Sequence, residues 1–219
     1  MADILDGISW FGHASFSLEN KLGKKFYFVD PFDIKRLPND KADAIFITHA
    51  HYDHWNPNDI RKLIKNDTVV VGTNGCENLN LPSNAFMIVG PDRILTVAGI
   101  RVKTVPAYNA KPDRLSYHPK ENKWVGYIFE VGEARIYHAG DTDFIPEMRN
   151  LVDIDVAMLP IGGTYTMDVK EAIQAANIIK AEVTIPMHYR RLLGNNAKAA
   201  EEEFKSGVKG KVVVMKEFS

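Results

Sequence analysis

The sequence predicts an α/β fold: two mixed β-sheets packed together, with helices on the outside. Three observations predict it. Short apolar runs bounded by Gly, Pro, Asn and Asp recur through both halves of the chain, the pattern of strands and turns. Among them lie segments whose apolar residues return every three or four positions, the pattern of a helix face. Imidazoles and carboxylates gather where several apolar runs stop, and α/β sheets build their sites at strand ends.

Taken in order, residues 8–11, 14–18 and 25–29 read as strands, with a hairpin turn over 20–24. The apolar run over 44–48 suggests a buried strand. Asn58, after Pro57, is the expected N-cap of a helix that carries Ile60, Leu63 and Ile64 at helical spacing. Residues 68–72, 85–89, 94–97 and 100–107 read as further strands. In the second half, 124–131 and 134–138 form a hairpin turning at Gly132-Glu133, and 156–160 is another apolar strand. Asp168 and Glu171 have capping-box spacing. Val169, Ala172, Ile173, Ala176 and Ile179 then share one face of a helix. A strand over 183–187, a helix over 197–205 stopped by Gly207, and a closing strand over 211–215 complete the chain. No linker, low-complexity run or charge block interrupts it, so residues 1–219 are expected to form one domain.

A chain of 219 residues with 45% hydrophobic and 25% charged content can bury a core without staples. The net charge of -1 argues against broad attraction to nucleic acid or anionic membrane. The single cysteine, Cys76, leaves no intrachain disulfide and fits a reducing cytoplasm. Nothing near it in sequence lowers its pKa, so it reads as a packing residue. Residues 1–6 are acidic and do not read as a signal peptide. No apolar run approaches the roughly 18 residues that span a bilayer. The expectation is a soluble cytoplasmic protein with a small-molecule substrate and no membrane insertion. Its oligomeric state is left open.

The densest chemistry lies in Thr48-His49-Ala50-His51-Tyr52-Asp53-His54, at the end of an apolar run. Three of only 7 histidines fall within it. Imidazole and carboxylate are ligands that zinc and related divalent ions prefer. Burying several of them unpaired is costly, and a cation removes that cost. Two further islands sit at strand ends: Tyr137-His138-Ala139-Gly140-Asp141-Thr142 and Pro186-Met187-His188-Tyr189. Either island alone reads as a turn residue or a structural histidine. Beside the first motif they read as ligands.

On these motifs the chain resembles the metallo-β-lactamase superfamily, over nearly its whole length. Gly12-His13-Ala14-Ser15, Val29-Asp30-Pro31-Phe32 and Leu159-Pro160-Ile161-Gly162 resemble a narrower group, the ascorbate-6-phosphate lactonase-like hydrolases. The resemblance implies an αββα sandwich and a cofactor of one or two zinc ions, or manganese or iron. It implies that His49 and His51 hold the first metal, that Asp53, His54 and His188 hold the second, and that Asp141 bridges. It also implies a metal-bound hydroxide that attacks an ester, lactone or phosphoester bond, with Asp53 as the catalytic carboxylate. Two divalent ions balanced by Asp53, Asp141 and a bridging hydroxide leave net positive charge, which favours an anionic transition state.

One departure stands out. The superfamily brings a third histidine to the first metal, from a strand that here ends in Val105-Pro106-Ala107-Tyr108-Asn109. Asn109 takes its place and is expected to hydrogen-bond a water or substrate. His118, nine residues on, can reach back as a cleft residue near the first metal, with direct coordination open. His13 reads equally as a cleft residue and as a structural histidine. Asp30 is expected to fix a ligand histidine, and His138 to be supporting or structural. Arg190 and Arg191 read as a solvated pair before they read as phosphate contacts. The rival readings are a nuclease or phosphodiesterase acting on nucleic acid, a di-iron oxygen reductase and a non-catalytic metal scaffold.

Overall fold

The computed structural model describes residues 5–76 and 85–218. Of the acidic N-terminal stretch, residues 1–4 lie outside the described residues. The first sheet contains, in order, β1 (Ile8–Trp10), β2 (Phe16–Asn20), β3 (Lys25–Val29), β4 (Ala44–Phe46), β5 (Val69–Gly72) and β6 (Phe86–Ile88). The second runs β13 (Lys211–Val212), β12 (Val183–Met187), β11 (Val156–Pro160), β10 (Ala134–His138), β9 (Val125–Val131), β8 (Ile100–Pro106), β7 (Ile94–Val97). Both sheets are mixed. Strands β1 to β3 and β7 to β10 pair antiparallel, while β3 to β6 and β10 to β13 pair parallel.

Alternation along the strands explains the layering. In β3 and β4, Tyr27, Val29, Ala44 and Phe46 face the core between the sheets, where Phe46 packs on Tyr127 and Phe129. Their neighbours Phe28 and Ile45 face the other way, onto Ile60 and Leu63 of α1 (Pro57–Leu63). Side chains on successive strand residues point to opposite faces, so a strand buried on both faces must be apolar throughout. On the far side, α2 (Val169–Ile179) lies on β11 and packs against α4 (Ala197–Gly207). The result is the αββα sandwich the sequence predicts. Among the described residues no helix is long and apolar enough to cross a membrane.

Several details differ from the sequence reading. Asn56, not Asn58, caps α1, because its side-chain oxygen accepts from the backbone N–H of Asn58 and Asp59. Pro57 then takes the first helical position, where its missing N–H costs nothing. Gly207 does not stop α4; it is the last helical residue and Val208 turns away. A Cβ there would lie 2.5 Å from Ile173 Cδ1, so the glycine lets α4 approach α2. The closing strand is shorter than 211–215, and a short helix α3 (Arg190–Leu193) follows β12. The capping box at Asp168 and Glu171 is present as expected.

The topology aims one edge of each sheet at the same place. Strands β1, β3 and β4 run in one direction in the first sheet, and β8, β10 and β12 run alike in the second. Their C-terminal ends are followed by His13, Asp30, the 48–54 motif, Asn109, Asp141 and His188.

Candidate metal centre

Asp141 sits at the middle of the site. Gly140, at φ +65°, turns the chain after β10, and a Cβ on it would lie 3.1 Å from Thr48 Cβ. Glycine here lets the loop of one sheet touch the motif of the other. Asp141 Oδ2 then lies 3.0 Å from His188 Nε2, 3.3 Å from His118 Nε2 and 3.9 Å from His49 Nε2. Its Oδ1 lies 3.4 Å from His54 Nε2.

Around this carboxylate the donors fall into two groups. His49, His51 and His118 bring one ring nitrogen each within 4.8 Å of one another. His13, Asp53, His54 and His188 do the same on the other side. His49, His54 and Asp141 connect the two groups. The structure thus brings together all of His49, His51, Asp53, His54, Asp141 and His188. It adds His118 to the first group and His13 to the second.

Hydrogen bonds fix which nitrogen of each ring faces inward. Asp30 accepts from the Thr48 backbone N–H at 2.8 Å and from the Thr48 hydroxyl at 2.7 Å. That hydroxyl points its O–H at Asp30, so its oxygen accepts from His49 Nδ1 at 2.9 Å. Asp30 also accepts from His54 Nδ1 at 2.8 Å. His49 and His54 therefore both turn an Nε2 lone pair toward Asp141. One carboxylate orients a ring in each group, the supporting role expected for Asp30.

Asn109 does the same for His118. Its side-chain oxygen accepts from the His118 backbone N–H at 3.0 Å and from the ring Nδ1 at 2.8 Å. Its amide nitrogen donates to Asp143 Oδ1 and to the Tyr165 carbonyl. Asn109 is 1% exposed and its amide is fully engaged, so it positions His118 and does not meet a water or substrate as expected. His118, 1% exposed, is no ordinary loop histidine.

Burial leaves several of these atoms without partners. His54 Nε2, His118 Nε2, both nitrogens of His188, His13 Nδ1 and Asp141 Oδ1 make no hydrogen bond. Buried polar atoms in native proteins are nearly always satisfied. Convergent orphan lone pairs on imidazole and carboxylate fit a divalent cation as the missing partner. Protonation energetics agree. Burial, aided by His54, holds His49 well below the ordinary histidine pKa, which keeps its lone pair free. Burial opposes charge on Asp141, yet His188 and His54 outweigh it and keep the carboxyl ionised. Burial also opposes charge on His54, and there Asp141 and Asp30 favour a positive charge. A cation fills that role.

Other residues are consumed by the fold. His138 Nε2 donates to the Ala14 carbonyl and its Nδ1 accepts from Gly140 N–H, a structural role. Arg190 is tied to Glu201 and the Met215 carbonyl and lies over Trp10. Arg191 is exposed, over Phe32. Tyr189 donates to Glu201 and Tyr108 to Glu147. Sequence reasoning missed Asp143, Arg114 and Trp124. Arg114 is buried between Asp143, Glu171 and the Thr166 carbonyl, which fastens the His118 loop to the start of α2. Trp124 lies with its ring 5.0 Å from His49 and 4.9 Å from His51, an apolar wall to the first group. The only signal for Asp143 was a second Asp beside the Gly140-Asp141-Thr142 island.

Comparison with known proteins gives a consistent picture. The family model described as a beta-lactamase superfamily domain matches residues 7–188. A UPF0173 metal-dependent hydrolase of Thermoplasma acidophilum is 36% identical over 224 residues, covering 96% of this chain and 95% of the relative. A Parabacteroides distasonis protein, provisionally assigned as a metal-dependent hydrolase, superposes with a TM-score of 0.80 at 31% identity. The match covers 95% of this chain and 93% of that one. A Thermotoga maritima protein, provisionally assigned as a zinc-dependent hydrolase of the metallo-β-lactamase superfamily, gives 0.63 at 30% identity, covering 95% and 97%.

Proposed function

The chain belongs to the beta-lactamase superfamily, among the UPF0173 metal-dependent hydrolases, and from that premise we propose that it hydrolyses an ester, lactone or phosphoester bond of a small molecule. The observation that carries this reading is the convergence of unpartnered imidazole nitrogens on the buried carboxylate of Asp141. His49, His51 and His118 would hold one cation; Asp53, His54 and His188 would hold another; Asp141 would touch both. Zinc is the first candidate for an imidazole-rich set, with manganese and iron as alternatives. When bound, such cations supply Lewis acidity and make a hydroxide nucleophile available near pH 7.

The chain's own residues do the remaining work. Asp53 has 20% of its side chain exposed against 3% for Asp141, so it is the carboxylate that reaches the cleft. It would orient the attacking water, with the proton passing to Asp53 or to a solvent water. Asp30 and Asn109 keep the ring protons of His49, His54 and His118 pointed away from the reacting centre. The lactone option rests on the likeness of the Gly12-His13-Ala14-Ser15 and Leu159-Pro160-Ile161-Gly162 stretches to lactonase-like hydrolases. The single cysteine supports a cytoplasmic setting.

The test is a screen of metal-reconstituted protein against lactones, phosphodiesters, phosphomonoesters and single-stranded RNA. One small-molecule class is expected to turn over, with one to two equivalents of cation bound. Cleavage of RNA alone, with steep salt dependence, would favour the nuclease reading. Cation uptake with no turnover in any class would favour a scaffold.

A further inference from the structure

The two donor groups are not equivalent, and the difference lies in His13. Its Nε2 is 3.0 Å from Asp53 Oδ2, and its ring centroid is 3.7 Å from that of His188 and 5.6 Å from that of His54. Its side chain is 6% exposed, and Nδ1 has no partner. Two donors at 2.0–2.1 Å from a tetrahedral cation sit roughly 3.3 Å apart. The His13–Asp53 separation therefore suits two ligands of one ion as well as it suits a hydrogen bond.

The backbone holds His13 in this place at a cost. His13 has φ +49° and His188 has φ +56°, in the left-handed region that few residues other than Gly adopt, Asn, Asp and His more readily than most. The two strained turns are fastened to each other, because the His188 N–H donates to the His13 carbonyl at 3.0 Å. Trp10 Nε1 donates to the same carbonyl at 3.1 Å. Strain of this kind persists at functional sites, where surrounding structure over-determines it.

We propose that His13 is a fourth protein ligand of the second cation site, closing it with Asp53, His54 and His188. This rests on the metal-dependent reading above and assigns the two sites different duties. The second site has four protein donors besides Asp141, the closed pattern of a holding ion. The first has one donor fewer, His49, His51 and His118 besides Asp141. The second cation is then the slower of the two to leave.

The experiment uses the full-length protein loaded with zinc, in wild type and in His13→Asn, His13→Gln and His13→Asp. Asparagine and aspartate tolerate positive φ, so His13→Asn and His13→Asp keep the turn, and circular dichroism checks the fold of all three variants. Wild type is expected to release zinc to a chelator in two phases. His13→Asn and His13→Gln are expected to lose the slow phase, and His13→Asp to recover it. Histidine ring ¹⁵N spectra of zinc-loaded wild type add a readout that needs no variant. His13 Nε2 should carry no proton and show the shift of a coordinated nitrogen. Full zinc retention in His13→Asn and His13→Gln, or a protonated Nε2 in wild type, would overturn the assignment and leave His13 a hydrogen-bond partner of Asp53. Wild type that takes up no zinc would instead overturn the metal-dependent reading itself.

Discussion

Asp43 and Asp141 are both buried, at 6% and 4% exposure, and they lie at opposite edges of the sandwich with opposite surroundings. Asp43 precedes β4. Its Oδ1 accepts from Lys25 at 3.0 Å and Lys65 at 2.8 Å, and its Oδ2 accepts from the Phe26 N–H at 2.9 Å. Asp141, at the site edge, is ringed by imidazoles and its Oδ1 has no hydrogen-bond donor. The contrast recurs within a single turn. Asp143, two residues on, accepts from Asn109, Ala110 N–H and Lys111 N–H. The chain supplies donors to these other buried carboxylates. Where it withholds them, it supplies lone pairs instead, and that pattern calls for a cation.

The largest expected effect follows from removing the carboxylate common to both groups. Asp141→Ala should lower the amount of bound cation and abolish hydrolysis, with the far-UV circular dichroism of the wild type. A cation at a hundred times its Kd stabilises a folded protein by about 2.7 kcal/mol. Zinc should therefore raise the Tm of wild type more than that of Asp141→Ala. Equal zinc-induced shifts in both would break the distinction between the two edges.

A smaller effect separates the two groups. Asn109→Ala leaves the His118 Nδ1–H without its acceptor and frees the ring to rotate. Loss of such a supporting contact typically lowers metal affinity by about 10–100-fold. The loss should fall on one cation and spare the other, as read by competitive chelator titration. Uniform weakening of both sites would mean that the Asn109–Asp143–Arg114 contacts support the whole cleft.

How much of this was legible in the sequence depends on whether a feature is local. The 48–54 motif puts four donors on one loop after one strand, so its residues could be named without a fold. The apolar runs of β4, β11 and β12 and the capping box at Asp168 are local as well. His118 is not. Its approach depends on a loop closed by Asn109 N–H donating to the His118 carbonyl and anchored through Arg114 to α2. No spacing encodes that, so Asn109 looked like a substrate contact. His13 is hidden for a different reason. After Gly12 it reads equally as a cleft residue and as a structural histidine, and only its contacts with Asp53 and the ring of His188 show which. The expected roles of Asn58 and Gly207 differ from those found because each is set by a partner, the N–H groups of α1 that Asn56 caps in one case and Ile173 in the other.

The smallest expected effect lies at Asp43, where the donors are already present. Burial alone would raise its carboxyl pKa, but Lys65, the Phe26 N–H and Lys25 outweigh burial and hold it below the ordinary carboxylate range. An acid whose folded pKa is lowered binds fewer protons folded than unfolded. Its contribution to stability is therefore complete above the unfolded value of ~3.9 and is lost as pH falls through the lower folded value. Lys25 and Lys65 have 41% and 37% of their side chains exposed, so water and salt screen the pairs. Pairs of this kind contribute about 0–1 kcal/mol. Asp43→Asn still accepts from Phe26 and should cost about that much in urea unfolding at pH 7. The gap between wild type and variant should narrow in high salt and close as pH falls below the folded pKa. Zinc uptake should not change. If Asp43→Asn lowered zinc uptake as Asp141→Ala does, a carboxylate already satisfied by protein donors would be feeding the site from the far edge of the sheet, and the rule that unpartnered atoms mark the cation's place would fail.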